Sequence, residues 1–169
     1  KGFGRIATDA LLGAGGRLAT FSSATEQQLA EVLQTSSLPL GNPLALPANS
    51  TPADWANALT TVLADASTDA VLTICSPSPF AQGGAVATAL CEVAQRDERN
   101  VFTCWVGGTA MLVAENIAAA QGVFSHNSPE KTVAAFLGAV HYQRNREQLM
   151  QMPPSIADDF TPNVAMARA

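Results

Sequence analysis

The run Ala70-Val71-Leu72-Thr73-Ile74-Cys75, with Ser76-Pro77-Ser78-Pro79 after it and Gly83-Gly84-Ala85-Val86-Ala87 beyond, decides how this chain folds. Six consecutive residues without a charge read as a strand covered on both faces, because a half-exposed strand would alternate apolar with polar. The loop that follows holds two prolines and two glycines, and residues 85–95 then take helical spacing. Residues 101–106 form a second apolar run of strand length. Strand, helix and strand in that order predict a parallel pair with its crossover helix.

The same alternation extends outward in both directions. Downstream, Gly107-Gly108 leads into a helix over 110–121, Gly122 breaks it, and 123–125 is a brief strand. Ser128-Pro129-Glu130 opens a helix running to about Met150, where Pro153 stops it. Residues 153–169 read as a linker or extended tail, which leaves 1–152 as one domain. Upstream, Thr51-Pro52 starts a helix with proline in the first turn, where its missing N–H costs nothing. Trp55, Leu59, Val62 and Leu63 form its apolar stripe. Residues 35–50 are a loop centred on Gly41-Asn42-Pro43. Ser23-Ala24-Thr25-Glu26 reads as a capping box before a helix that buries Leu29, Val32 and Leu33. Residues 17–21 read as a short strand. Lys1-Gly2-Phe3-Gly4 reads as a glycine loop entering a helix marked by Ile6, Ala10 and Leu11 and ended by Gly13, Gly15 and Gly16. A loop running into a helix implies a first strand upstream of Lys1. The expectation is a parallel α/β sheet with helices on both faces.

Composition narrows the functions. Hydrophobic residues make up 47% of the 169 and charged residues only 14%. So few charges suggest that partner domains cover part of the surface. The net charge of −5 and the lack of a basic run exclude a nucleic-acid footprint. With no apolar stretch of spanning length and no leader pattern, no membrane role is expected, and the cytoplasm is the expected location. Cys75, Cys91 and Cys104 have no metal-binding or disulfide spacing and read as reduced core residues.

Glycine at strand ends is the one dense signal for a site. Gly2 and Gly4, Gly83 and Gly84, and Gly107 and Gly108 each stand between a strand position and a helix start. Such loops line the carboxyl edge of a parallel sheet, where helix N-termini offer free N–H groups to an anion. None is a Walker A loop or a full GxGxxG, so tight turns alone explain the glycines equally well. His126 precedes a helix and could cap it or face a ligand; His141 and Tyr142 read as helix-surface residues. Neither histidine has zinc-site company. No GxSxG is present. Asp54, Asp65, Asp69, Glu92 and Glu115 read as solvated helix faces and turn-formers. Trp55 and Trp105 read as core or interface aromatics. Only Lys1 and Arg5 lie near a glycine-rich loop. No catalytic residue and no metal site emerges.

Taken in order, Ala7-Thr8-Asp9-Ala10-Leu11, Gly16-Arg17-Leu18-Ala19-Thr20, Gly41-Asn42-Pro43-Leu44, Ser76-Pro77, Gly107-Gly108, Ser128-Pro129-Glu130 and Tyr142-Gln143-Arg144-Asn145-Arg146-Glu147-Gln148-Leu149 resemble the NDP-forming acyl-CoA synthetases. The likeness is closest to the synthetase-like part of bacterial protein lysine acetyltransferases that carry a GNAT domain. The resemblance implies a three-layer, flavodoxin-like, succinyl-CoA synthetase-like module. Its partners would be the other modules of a parent chain: a CoA-binding Rossmann module, a second flavodoxin-like module, an ATP-grasp module and the GNAT domain. It implies that Ser76, Pro77, Gly83 and Gly84 belong to a phosphate-facing loop, with Gly2, Gly4, Asn42, Pro43, Gly107 and Gly108 on other sheet-edge loops. The fragment alone would bind no cofactor; the parent would use acetyl-CoA or CoA, with ATP or ADP. Ala45 stands where the family often has Asp, and Arg5 where a small residue is usual, which weakens a working ligase. The resemblance thus implies a regulatory, non-catalytic module of a lysine acetyltransferase. The alternatives are a module of an active ADP-forming acetyl-CoA synthetase and a stand-alone flavodoxin-like binding protein.

Overall fold

A computed structural model describes residues 2–34, 40–79 and 82–150. The chain divides into two units, 1–137 and 138–169. The expected tail, Pro153 and residues 35–39, the beginning of the 35–50 loop, lie outside the described residues.

The strand that opened the reading forms as expected. β1 (Ala70–Cys75) pairs in parallel with β2 (Asn100–Trp105), Ala70 opposite Asn100 and Cys75 opposite Trp105. β3 (Phe124–His126) adds in parallel to β2, giving the order β1-β2-β3. Helices make the connections: α4 (Gly83–Ala94) between β1 and β2, and a 3-10 turn (Gly108–Met111) with α5 (Leu112–Ala120) between β2 and β3. Ahead of the sheet come α1 (Gly2–Gly13), α2 (Ser23–Val32) and α3 (Pro52–Ala64); α6 (Pro129–Met150) follows it.

Side chains two apart on a strand share a face. Val101 and Trp105 of β2, with Cys75 of β1, bury themselves against Val86 and Leu90 of α4, Ala114 and Ala118 of α5, and Leu59 and Leu63 of α3. On this face the Trp105 indole N–H donates to Thr103 Oγ1 (3.1 Å), whose hydroxyl donates to the Phe124 carbonyl (2.9 Å). That relay satisfies two buried polar groups inside the core. The alternate residue Phe102 turns the other way, meeting the rings of Phe124 and of Phe136 in α6 at 5.3 and 5.5 Å. The sheet therefore carries helices on both faces. A second cluster joins Phe21, Leu29 and Leu33 to Ala58 and Val62 of α3.

Four local expectations need correction. Residues 17–21 form no strand. Their carbonyls are taken instead by side chains: Asn42 Nδ2 donates to Ala19 (3.1 Å) and Ser67 Oγ to Thr20 (2.9 Å). An extended, apolar segment becomes a strand only where a ladder partner stands beside it. Gly2 and Gly4 lie inside α1 rather than in a loop. The N-cap of α2 is Ser22, one residue earlier than expected; its Oγ accepts from Thr25 N–H, and Glu26 closes no box. The helix expected over 110–121 begins as a 3-10 turn, because Gly107 and Gly108 have φ of +145° and +57° and wind the chain tightly before α5.

Candidate anion-facing site at the carboxyl edge

The carboxyl ends of β1 and β2 deliver two loops to one place. The ring of Pro77 abuts Gly107: a Cβ on Gly107 would stand 2.7 Å from Cγ and Cδ of Pro77. Behind this contact, Gly83 and Gly84 admit the next element. A Cβ at 83 would meet Met111 Cε at 3.0 Å, and one at 84 would meet Val113 Cγ1 at 3.3 Å. These two glycines therefore allow α4 to approach the start of α5 closely. A shallow, open depression of about 340 Å³ results, with Pro77, Ser78, Gln82, Gly83, Gly84 and Met111 among its walls. Ser78 Oγ donates to the Ala48 carbonyl at 3.2 Å, bringing the end of the 40–50 segment to the same rim.

The electrostatics come from backbone. Gln82 is the N-cap of α4, but its side chain caps nothing, and the first turn holds no acid. The 3-10 turn and α5 likewise start without a side-chain cap. The first N–H groups of a helix have no intrahelical acceptor, so two helix starts face the depression with partial positive charge. The third helix start on this edge is already answered. Ser128 Oγ donates to Glu130 in the first turn of α6 (2.7 Å), and that bond holds the Glu130 carboxyl below its ordinary pKa. No lysine or arginine lines the depression. A larger depression, about 420 Å³, lies beside Leu63, Ala64 and residues 96–99, before the amino end of β2. There helices end rather than begin, so backbone donors do not converge.

The remaining expected residues lie apart from this centre. Gly4 packs against Pro43, its would-be Cβ 3.3 Å from the ring, while Asn42 is spent on Ala19. These residues support α1 and the 17–21 segment. Gly2 is exposed, and a Cβ added there would meet nothing within 4 Å. Ser76 is exposed at the end of β1. His126 Nδ1 accepts from Asn127 N–H at 2.8 Å, and His141 is exposed on α6. Among the described residues no group of His, Cys, Asp and Glu could hold a metal ion. The three cysteines are buried and unpaired, and burial pushes the Cys75 and Cys104 thiols up to about 11.

Two features escaped the reading of the sequence. Met111 forms a wall of the depression; only the tight Gly107-Gly108 turn hinted that it would fold back. Asp65, expected in solvent, is buried at the C-cap of α3. It accepts from Thr25 Oγ1, Ser22 N–H, Ser67 N–H and Ser67 Oγ, and these donors hold its carboxyl well below the usual range.

No model of a known protein family matches the chain. Solved structures do resemble it. The protein PH0766 of Pyrococcus horikoshii OT3 superposes with a TM-score of 0.80 at 22% identity, over 86% of this chain and 34% of that one. The dinucleotide forming acetyl-coenzyme A synthetase 1 of Ca. Korarchaeum cryptofilum matches with a TM-score of 0.79 at 18% identity. Its apo form is matched over 89% of this chain and 33% of that one. Its complex with phosphate and ADP is matched over 89% and 32%. The chain thus spans about a third of the length of the proteins it matches, and it shares their fold. Among the described residues no helix is long and apolar enough to cross a membrane.

Proposed function

We propose that this chain is an acyl-CoA synthetase-like module that presents the uncapped start of α4 to a phosphate group held by a partner module, without contributing a catalytic side chain. The observation that carries the reading is the pair of uncapped helix starts around Gly83 and Gly84, in a fold matched over 89% of the chain by a synthetase solved with phosphate and ADP. A dianion there gains from N–H groups and helix dipoles without needing a lysine. The partners would be the other modules of the parent chain, which would use acetyl-CoA or CoA with ATP or ADP.

Within this reading the parent is a protein lysine acetyltransferase with a GNAT domain, and the module regulates it. Ala45, exposed just after Pro43, supports that choice, because a carboxylate often found there in the resembled family is missing. A module of an active ADP-forming acetyl-CoA synthetase is the second reading, favoured by the solved complex with phosphate and ADP. A histidine in the phosphorylation loop of the parent would select the second reading over the first.

Titration of the isolated chain with inorganic phosphate, followed by amide NMR shifts, tests the site. Shifts should concentrate at 82–87 and near Gly107 and Gly108, and should weaken with salt, since an exposed helix terminus contributes only about 0.3–1 kcal/mol. Shifts confined to residues 96–99, or spread evenly, would refute it. Alone, the chain should neither make acyl-CoA from acid, CoA and ATP nor acetylate lysine.

A further inference from the structure

The outer surface of one helix layer is nearly free of charge. α3, α4 and α5 lie side by side on the sheet, with Leu63, Leu90 and Ala118 turned into the core. Among the exposed residues of these three helices, Glu92 alone carries a charge. Asp54 is half-buried and accepts from Thr51 N–H at 2.7 Å in the capping box of α3, and Glu115 of α5 is half-buried. The threonine hydroxyls are spent as well. Thr60, Thr61 and Thr88 donate to the carbonyls of Ala56, Asn57 and Gly84 in their own helices, at 2.9, 2.9 and 3.1 Å. A threonine bonded in this way no longer needs water for its donor. At the start of α5, Val113 is 64% and Leu112 47% exposed. α2 gives the contrast, exposing Gln27, Gln28 and Glu31. A helix that is apolar on its outer as well as its inner side is ordinarily covered on both.

We propose that this face docks on the same face of a second copy of the chain, with the two α4 helices antiparallel about a two-fold axis between Thr88 and Ala89. The single charge selects both the occupant and its orientation. Ala85, Thr88 and Glu92 follow one another along the exposed side of α4. Ala85 is the third residue of a helix whose start has no side-chain cap and no acid. Glu92 lies about two turns further on. In the antiparallel pair, Glu92 of each copy stands opposite Ala85 of the other, so each carboxylate meets the positive end of a helix dipole. The two carboxylates are then about 10 Å apart along the helices. A parallel pair would bring them together. A surface that holds both halves of a charge match is complementary to itself, as an isologous dimer requires. Helices of 13, 12 and 9 residues, packed about 10 Å apart, offer roughly 500 Å² per copy. That is the low end for specific pairs and corresponds to a dissociation constant of about 10 μM to 1 mM. The pairing does not rest on the phosphate reading.

Sedimentation equilibrium of the chain between about 10 μM and about 1 mM tests it. The mass should rise with concentration from one chain toward two. Thr88→Arg, beside the axis, brings two cations together and should weaken the dimer about tenfold or more. If the thermal melt shows that Thr88→Arg does not fold, Asn116→Lys on the exposed side of α5 should weaken it in its stead. Glu92→Gln reads the orientation: loss of two carboxylate–dipole contacts should weaken the antiparallel dimer about threefold or more. Leu149→Ser, at the exposed end of α6, should leave the constant unchanged. A monomer over the whole range would overturn the proposal. So would a dimer that Leu149→Ser abolishes, one that folded Thr88→Arg or Asn116→Lys leaves intact, or one that Glu92→Gln leaves unchanged or tightens.

Discussion

The ring of Pro77 fills the space that a side chain at residue 107 would need, 2.7 Å from where a Cβ would stand, and Gly107 itself has a φ of +145°. The loops after β1 and β2 are locked together by this absence of a side chain. Gly107→Ala should therefore destabilise the chain by about 1–3 kcal/mol in urea unfolding, combining backbone strain with overpacking. Gly108 gives the contrast: its φ is +57°, but a Cβ there meets open space. Gly108→Asn should cost less than about 1 kcal/mol, because asparagine tolerates that region. Equal losses at both positions would show that the Pro77 contact is unimportant.

Gln82 leaves the start of α4 uncapped, with backbone angles that suit a capping residue. Gln82→Asp should stabilise the chain by about 0.5–1 kcal/mol by accepting a first-turn N–H, and should suppress phosphate-induced NMR shifts through its charge. Gln82→Ser should stabilise similarly but weaken the shifts less. Phosphate shifts undiminished in Gln82→Asp would place the anion elsewhere.

Asp65 should govern the acid limb of stability. Its folded-state carboxyl sits well below the unfolded value of about 3.9, so the stabilisation is complete above that value and is lost as pH falls through the folded one. Thermal melts should drop steadily once the pH falls below about 4, the upper end of that window. Asp65→Ala should melt lower at pH 7 and show a shallower acid decline. Parallel curves for the two proteins would exclude Asp65 as the source.

Cys75, Cys91 and Cys104 should react slowly with a thiol reagent in the native chain and all at once in denaturant. Burial raises each thiol, Cys75 and Cys104 to about 11, and at pH 8 a thiol of that pKa is thiolate in only about one molecule in a thousand. Rapid native reaction of both Cys75 and Cys104 would contradict their place in the core.

What the sequence revealed and what it hid follow from the range of the interactions involved. β1 and the helices around it were legible because an uncharged run and a 3.6-residue stripe are local patterns. The carboxyl-edge loops were legible for the same reason: glycine after a strand reports a close approach even when it does not name the neighbour. Residues 17–21 misled because their apolar pattern serves Phe21 in a cluster, while Asn42 and Ser67 take the carbonyls. Asp65 misled because a carboxylate after a helix has the same local signature in water as in a buried network. Its donors come from as far as 43 residues away, and Met111 meets Gly83 across a whole strand and helix.

The bond from Ser22 N–H to Asp65 also ties the order of folding to the fold. The beginning of α2 cannot gain its full set of acceptors until a loop of 43 residues has closed and α3 has ended in its turn. Local helix formation in α3 or α4 needs no such closure, whereas the loop entropy must be met before this contact returns anything. The start of α2 thus belongs to the late part of the folding reaction, and loosening it acts on how fast the native chain opens more than on how fast it forms.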